Sequence, residues 1–287
     1  PFPMKFLFIM FQHLVPQHLL SRLAGKLANA TTPWLKNMMI KRFIQHYGVN
    51  MAEALQSEPE DYACFNDFFT RALKPGARII ADADNALVSP ADGVVSAAGN
   101  ITGDQLFQAK GKNFSLTALL GGSDAMASAF LDGNFVTVYL SPKDYHRVHM
   151  PCGGTLQKML YIPGKLFSVN QTTSENIDDL FARNERVVCL FDTDAGPLAV
   201  ILVGAMIVAG IETVWSGQVA PAAHGISETD YTTQQPAIQL AGGEEMGRFK
   251  LGSTVILLSG PGAVKWQQSL EENTALQMGE KIGDVVS

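Results

Sequence analysis

The chain comprises 287 residues, 47% of them hydrophobic and only 17% charged, a composition that excludes a largely disordered protein. Its net charge of −6 argues against nucleic acid as a partner, yet residues 1–50 carry six basic side chains and no acidic one, a balance suited to an anionic membrane surface. No apolar run reaches the eighteen or so residues that a spanning helix needs, so no transmembrane helix is expected.

Prolines divide the first fifty residues into three helical pieces. Leu7, Phe8, Phe11, Leu14 and Val15 recur at helical spacing over Met4–Val15. Pro16 opens a second piece, in which Leu19, Leu20, Leu23 and Leu27 alternate with Arg22 and Lys26. Thr32-Pro33 supplies an N-cap and first turn for a third, which ends near Tyr47-Gly48. Two readings of this arm stand. Its helices pack on the rest of the chain, or they form an interfacial anchor, with apolar faces in the acyl boundary and Lys/Arg among headgroups. Phe11, Trp34, Met38 and Met39 suit either. Residues 1–50 are expected to be an amphipathic membrane-association region. Pro16 interrupts the apolar stretch and no small-residue cleavage site follows cleanly, so a signal peptide is not expected, and Met4 is the expected start.

Beyond residue 50 the pattern changes. Tyr62–Leu73 reads as a helix before Pro75-Gly76. Strand signals then dominate: Phe135–Leu140, Val187–Phe191, Leu198–Val203, Ile207–Trp215 and Thr254–Leu258 are β-branched or aromatic runs between turn residues. Short helices are expected at Ser123–Leu131 and Ser174–Ala182. The expected fold is α+β: an amphipathic helical amino-terminal region, then a mainly antiparallel β-sheet or sandwich domain over residues 51–287. Cys64, Cys152 and Cys189 form neither a disulfide framework nor a zinc pattern, so a reducing compartment is expected. Cys152 and Cys189 read as buried small hydrophobes.

Three segments carry potential chemistry. Ser89–Gly93 places Asp92 beside a glycine, either as a solvated turn or as a positioned carboxylate. Asp144–Pro151 sets His146 and His149 three residues apart, flanked by Asp144 and Arg147. On a helix both would share a face, as metal ligands, as an acid/base pair, or simply as part of a polar loop. Arg147 could meet an anionic group or pair with Asp144. Gly247–Val255 reads alone as a tight turn entering a strand.

Taken together, these segments resemble the phosphatidylserine decarboxylase family, in its pyruvoyl-dependent, membrane-associated bacterial type. The resemblance covers FNDFF-T-R at Phe65–Arg71, SPADG at Ser89–Gly93 and YLSPKDYHRVHMP at Tyr139–Pro151. It continues through FSVN at Phe167–Asn170, LFARNERV at Leu180–Val187, ETVW at Glu212–Trp215 and EMGRFKLGSTV at Glu245–Val255. Pro221–Gln239 carries no motif that can be placed.

The resemblance implies that the chain makes its own electron sink. The Ser253 hydroxyl would attack the Gly252 carbonyl, turning the amide into an ester. β-Elimination would then free Gly252 as a carboxyl terminus, and hydrolysis of the residue left at 253 would yield a pyruvoyl group. The products would be a large β chain (1–252) and a small α chain (253–287). His149, oriented by Asp92, would activate the serine as general base. In turnover the pyruvoyl ketone would form a Schiff base with phosphatidylserine, and His146 would return a proton after CO₂ leaves, releasing phosphatidylethanolamine. No metal is implied. The implied setting is the bacterial inner (cell) membrane, peripheral and on its cytoplasmic side, as a homodimer of processed protomers. Two other readings remain open from the residues alone. One is a metal-dependent hydrolase using Asp92, His146 and His149; the other is a non-catalytic membrane-associated β module.

Overall fold

The computed structural model describes residues 9, 10, 12, 14–82, 85–206, 210–221, 225–251 and 253–286, with Gln171 and Ser253 described by their backbones. Helices α1 (Gln17–Ala28) and α2 (Pro33–Tyr47) follow the proline punctuation. Proline at the first turn costs α2 no hydrogen bond. Gly48, at φ 65°, takes the left-handed conformation that ends it. Of the expected Met4–Val15 helix, residues 1–8, 11 and 13 lie outside the described residues, while 9, 10, 12 and 14 are helical.

Helix α3 (Phe65–Phe69) is much shorter than the expected Tyr62–Leu73. The Asp67 carboxylate takes the Ala63 amide ahead of it at 2.9 Å. Tertiary packing, rather than length, holds this single turn. Phe65, Phe68 and Phe69 join Ala28, Ile40, Val49 and Tyr62 in a small core that ties the helices together.

The strands, in chain order, begin with β1 (Ala86–Val88), β2 (Gly93–Asn100), β3 (Gln105–Ala109), β4 (Lys112–Ser115), β5 (Asn134–Leu140) and β6 (Arg147–His149). Next come β7 (Gly154–Ile162), β8 (Arg186–Thr193), β9 (Gly196–Gly204), β10 (Gly210–Thr213), β11 (Gly217–Ala220) and β12 (Ser227–Asp230). The last are β13 (Gln239–Leu240), β14 (Glu245–Lys250), β15 (Ser253–Ser259), β16 (Val264–Trp266), β17 (Ala275–Leu276) and β18 (Lys281–Val285). The main sheet runs β12-β7-β8-β9-β15-β5-β2-β17, with β13 also on β7. Smaller sheets run β11-β10-β14-β6 and β1-β18-β16, and β3 and β4 form a hairpin. Every pairing of these strands is antiparallel. The architecture is the α+β fold expected.

The central strand explains why its sequence is apolar without alternation. Val255 and Leu257 of β15 pack with Val136, Val138, Val148 and Phe249 toward the smaller sheets. Ile256 and Leu258 pack with Phe114, Phe130 and Phe181 on the opposite face, under the short helices and the β3–β4 hairpin. A strand buried on both faces reads as a continuous hydrophobic run.

Some expectations are displaced. Ser174–Ala182 resolves into two helical turns, Gln171–Asn176 and Leu180–Arg183; Asn170 caps the first, and Asp179, at φ 54°, separates them. Of Ile207–Trp215 only β10 is extended, and 207–209 lie outside the described residues. Gly247–Val255 is mainly strand, with a bend at Leu251. Pro221–Gln239 contributes the edge strand β12, paired with β7.

Candidate active site

One end of the main sheet gathers the motif segments. Ser253 begins β15 between Leu140, the last residue of β5, and Gly204, the last of β9. On the far side of β5, Val94 of β2 pairs with Tyr139. A Cβ at Gly93 would lie 2.4 Å from the Tyr139 carbonyl oxygen, so glycine is what lets β2 start against the end of β5. Asp92 therefore sits at the same sheet end as Ser253, two strand spacings away, about 10 Å between backbones.

The chain crosses between sheets twice at this point. Residues 141–146 lead from β5 to β6, and residues 251–252 lead from β14 to β15. Phe249 N donates to the His146 carbonyl at 3.0 Å, holding the two crossings together. Arg71 pins the first crossing through Nη2, which donates to the carbonyls of Lys143 (2.9 Å) and Asp144 (3.3 Å). Asp144 accepts from Ser141 N and Oγ, each at 2.7 Å. In the second crossing, Leu251 has φ 74°, a left-handed conformation that costs a non-glycine residue about 1–3 kcal/mol. Packing of Leu251 against the phenylalanine cluster of α3 offsets that cost. Gly252 lies outside the described residues.

The two histidines do not share a helix face, because the chain between them is extended as β6. His146 is fully buried, with its ring stacked on Phe69 at 4.0 Å between centroids and 23° between planes. Burial first, and then the Arg71 guanidinium, push its pKa down to about 3. The ring is thus a neutral imidazole at neutral pH, not one that titrates there.

His149 is buried too, and burial lowers its pKa as well. Its Nδ1 lies 2.8 Å from the Gly243 carbonyl and its Nε2 lies 3.0 Å from the Tyr145 hydroxyl. A carbonyl can only accept, so Nδ1 carries the proton and Nε2 keeps the basic lone pair, accepting from Tyr145. Burial pushes the Tyr145 phenol up to about 12, so the hydroxyl stays protonated.

Asp92 is 7% exposed, not a solvated turn. Its Oδ1 accepts from Arg78 Nε at 2.8 Å and from the Met278 amide at 2.8 Å, and its Oδ2 takes Arg78 Nη2. Arg78 also reaches Glu53 at 2.9 Å. The Asp92 segment does meet His149, through a bond from His149 N to the Pro90 carbonyl at 2.8 Å. The side chains, however, are committed elsewhere. The Gly243 carbonyl occupies the position on Nδ1 that Asp92 was expected to hold, and Asp92 acts on the ring through its charge.

Arg147 pairs with neither a free anion nor Asp144. Its Nη1 meets Glu245 at 2.8 Å and its Nε donates to the Thr70 carbonyl at 2.9 Å. Cys189 is buried, and burial pushes the half-buried Cys152 thiol up to about 11. Among the described residues no group of three or more His, Cys, Asp or Glu side chains is placed to hold a metal ion. The sequence reading missed Arg78, Tyr145 and the Gly243 carbonyl. Tyr145 lies inside the Tyr139–Pro151 motif, whereas Arg78 and Gly243 carry no local signal.

A pyruvoyl group made from residue 253 fits these surroundings. It would head β15 beside Gly204, which has no side chain. The next residue, Thr254, has a fully buried Oγ1 without a hydrogen-bond partner.

Comparison with known proteins points to one family. Residues 65–284 match the family model for phosphatidylserine decarboxylase, and residues 7–48 match a second family model, PSD. Curated relatives named phosphatidylserine decarboxylase proenzyme include that of Marinobacter nauticus, 56% identical over 278 residues, covering 96% of this chain and 97% of that protein. The Hahella chejuensis protein is 55% identical over 98% of this chain and 94% of its own length. The Azotobacter vinelandii protein is 56% identical over 96% of this chain and 97% of its own. With the motif segments converging on Ser253 and this similarity running nearly end to end, the chain belongs to the phosphatidylserine decarboxylase family.

Proposed function

We propose that this chain is a proenzyme that cleaves itself between Gly252 and Ser253 and then decarboxylates phosphatidylserine to phosphatidylethanolamine and CO₂. Family membership supports the decarboxylation, and the relatives' naming as proenzymes supports a processed precursor. The observation that carries the cleavage site is the left-handed Leu251 immediately before the Gly252-Ser253 pair. Non-glycine residues held in this conformation cluster at functional turns.

In the proposed self-cleavage, the Ser253 hydroxyl adds to the Gly252 carbonyl and its proton passes to His149 Nε2, the nitrogen that the Gly243 bond leaves basic, once the Tyr145 hydroxyl that Nε2 accepts from in the resting chain gives way. The resulting ester loses Gly252 as a carboxylate, and water then releases ammonia to leave the ketone. Asp92 anchors Arg78 and the Met278 amide. After cleavage, that amide belongs to the small chain. The small chain would stay bound, because β15 lies inside the main sheet, β17 pairs with β2 and β18 pairs with β1.

The pyruvoyl group supplies a ketone able to draw in the electrons released with CO₂. The substrate's amine is an ammonium in water and loses its proton to solvent before it attacks the ketone. His146 is assigned the return of a proton to the carbon that has lost CO₂, for which the substrate-bound site must charge a ring that burial keeps neutral in the resting chain.

The helical arm supports action at a bilayer. Helix α1 buries Gln17, Ser21, Gly25 and Ala28 against the protein and turns Leu19, Leu20, Leu23 and Leu27 outward. Trp34, 69% exposed, and Met38 extend this apolar surface onto α2, and Arg22, Lys26 and Arg42 are also exposed. Among the described residues no helix is long and apolar enough to cross a membrane. We place the protein peripherally on the cytoplasmic face of the bacterial inner membrane, as a homodimer of processed protomers.

The test is release of labelled CO₂ from carboxyl-labelled phosphatidylserine, with and without phenylhydrazine, which traps ketones. Release that phenylhydrazine abolishes is the expected result. Release unaffected by it would refute the pyruvoyl reading.

A further inference from the structure

Arg71 is 4% exposed, yet its Nε and Nη1 have no hydrogen-bond partner. Only Nη2 is engaged, by the two carbonyls of the 141–146 crossing. Among the described residues no carboxylate pairs with this cation. Asp92 is committed to Arg78 and the Met278 amide, Glu53 to Arg78 and Asn50, and Asp144 to Ser141. A buried donor left without an acceptor is costly. The guanidinium lies over the Phe68 ring, 5.5 Å from its centroid, and two donors left over on it call for acceptors from outside the protein chain.

Arg71 lines a cavity of about 360 Å³ together with Arg78, Asp92, Gly93, Ser141 and the exposed Lys143. Gly93 abuts the end of β5, and Ser141 directly follows Leu140, the strand partner of Ser253. The cavity therefore borders the sheet end where the reaction is proposed. Glu53, Asp92 and Asp144 line it as well, so its acids and bases balance in number, and Arg71 is the buried cation among them with N–H groups left to offer.

We propose that Arg71 is the receptor for the phosphodiester of the phospholipid headgroup, an inference that rests on the phosphatidylserine decarboxylase reading above. The substrate carries two anionic groups, and electron flow distinguishes them. Decarboxylation draws electrons out of the carboxylate, so a guanidinium bound there would stabilise the ground state and slow the step. The phosphodiester keeps its charge throughout, so binding it anchors the headgroup at no cost to the chemistry. A guanidinium suits phosphate oxygens, and a buried one is poorly screened by salt.

The test uses purified, processed enzyme and dispersed short-chain phosphatidylserine. For Arg71→Gln, self-cleavage on a gel and thermal midpoint are recorded first, so that failure of processing is distinguished from failure of headgroup binding. The expected result is a processed enzyme whose KM rises about tenfold or more while kcat changes less than about threefold. Arg71→Lys should recover part of that loss. An unchanged KM would overturn the proposal, as would a fall in kcat at unchanged KM, which would make Arg71 a support for the 141–146 crossing. Should Arg71→Gln fail to process, the wild-type enzyme still decides. Glycerophosphoethanolamine should inhibit competitively at concentrations where ethanolamine and inorganic phosphate do not. Equal inhibition by inorganic phosphate would show a general anion site and contradict the assignment, and no inhibition by glycerophosphoethanolamine would do the same.

Discussion

In α1 the inward positions are Gln17, Ser21, Gly25 and Ala28, whereas in β15 Val255, Ile256, Leu257 and Leu258 are all buried. The arm turns its leucines to the outside and the sheet hides its own. Hydrophobicity therefore does different work in the two regions. In the sheet it stabilises the fold and fixes the strand ends around Ser253; in the arm it forms a surface suited to the acyl boundary. The charges of the arm divide in the same way. Lys36 is buried, with Nζ on the Pro59 and Glu60 carbonyls, and Lys41 pairs with Glu60. These two bind the arm to the protein, leaving Arg22, Lys26 and Arg42 for headgroups.

The comparison can be broken most severely at the sheet end. His149→Asn should leave a single chain, slowing self-cleavage at least about 10²-fold, as expected for loss of a general base. His146→Asn should still cleave yet lose about 10²–10⁴ in turnover. Gel analysis and CO₂ release from the two variants read these separately. If both variants processed and turned over alike, the assignment of roles would be wrong.

The next largest effect is on folding. Ile201→Ala, at a fully buried position of β9, should cost about 2–5 kcal/mol in urea unfolding. Leu23→Ala, at a site 55% exposed, should stay within about 0.5 kcal/mol. Comparable losses would mean that α1 packs as an ordinary core helix.

Binding to vesicles should show the reverse order. Serine at Leu19, Leu23 and Leu27 together should weaken co-sedimentation with anionic liposomes at least about 10³-fold, since each buried leucine contributes about 1.5–3 kcal/mol. The thermal midpoint and self-cleavage should stay unchanged. Salt should weaken wild-type binding less than this triple change does, because, of the four exposed arm cations among the described residues, Lys41 already pairs with Glu60. Equal co-sedimentation by variant and wild type would refute the anchor.

The smallest effect concerns acid. His146 has a folded pKa of about 3 against an unfolded value of 6.5, so the unfolded chain binds the extra proton. Its contribution to stability is complete above pH 6.5 and is lost as pH falls toward 3. Urea midpoints from pH 7 to 4 should fall more steeply for wild type than for His146→Gln. Parallel slopes would contradict the neutral buried ring.

Much of this was legible in sequence. Proline and glycine punctuation located α1 and α2, and continuous apolar runs located the central strands, because both are local signals. The Asp92, His149 and Ser253 segments stood out as motifs, but their bonding did not. The partner of His149 Nδ1 is a backbone carbonyl and one partner of Asp92 is a backbone amide, and neither depends on side-chain identity. Arg78 was invisible because its role exists only once residues 53, 78, 92 and 278 meet. The histidine spacing misled for a related reason: three residues apart means one face on a helix but opposite faces on β6. His146 and His149 consequently have entirely different surroundings.

The most direct test of the whole account is the intact mass of the purified protein and of Ser253→Ala. The wild type should give two chains, residues up to 252 and residues 253–287, the smaller blocked to Edman degradation and carrying the mass of a ketoacyl terminus. Ser253→Ala should give one uncleaved chain with no decarboxylase activity. A wild-type chain that remains whole while active, or a Ser253→Ala chain that still divides at the same bond, would contradict it.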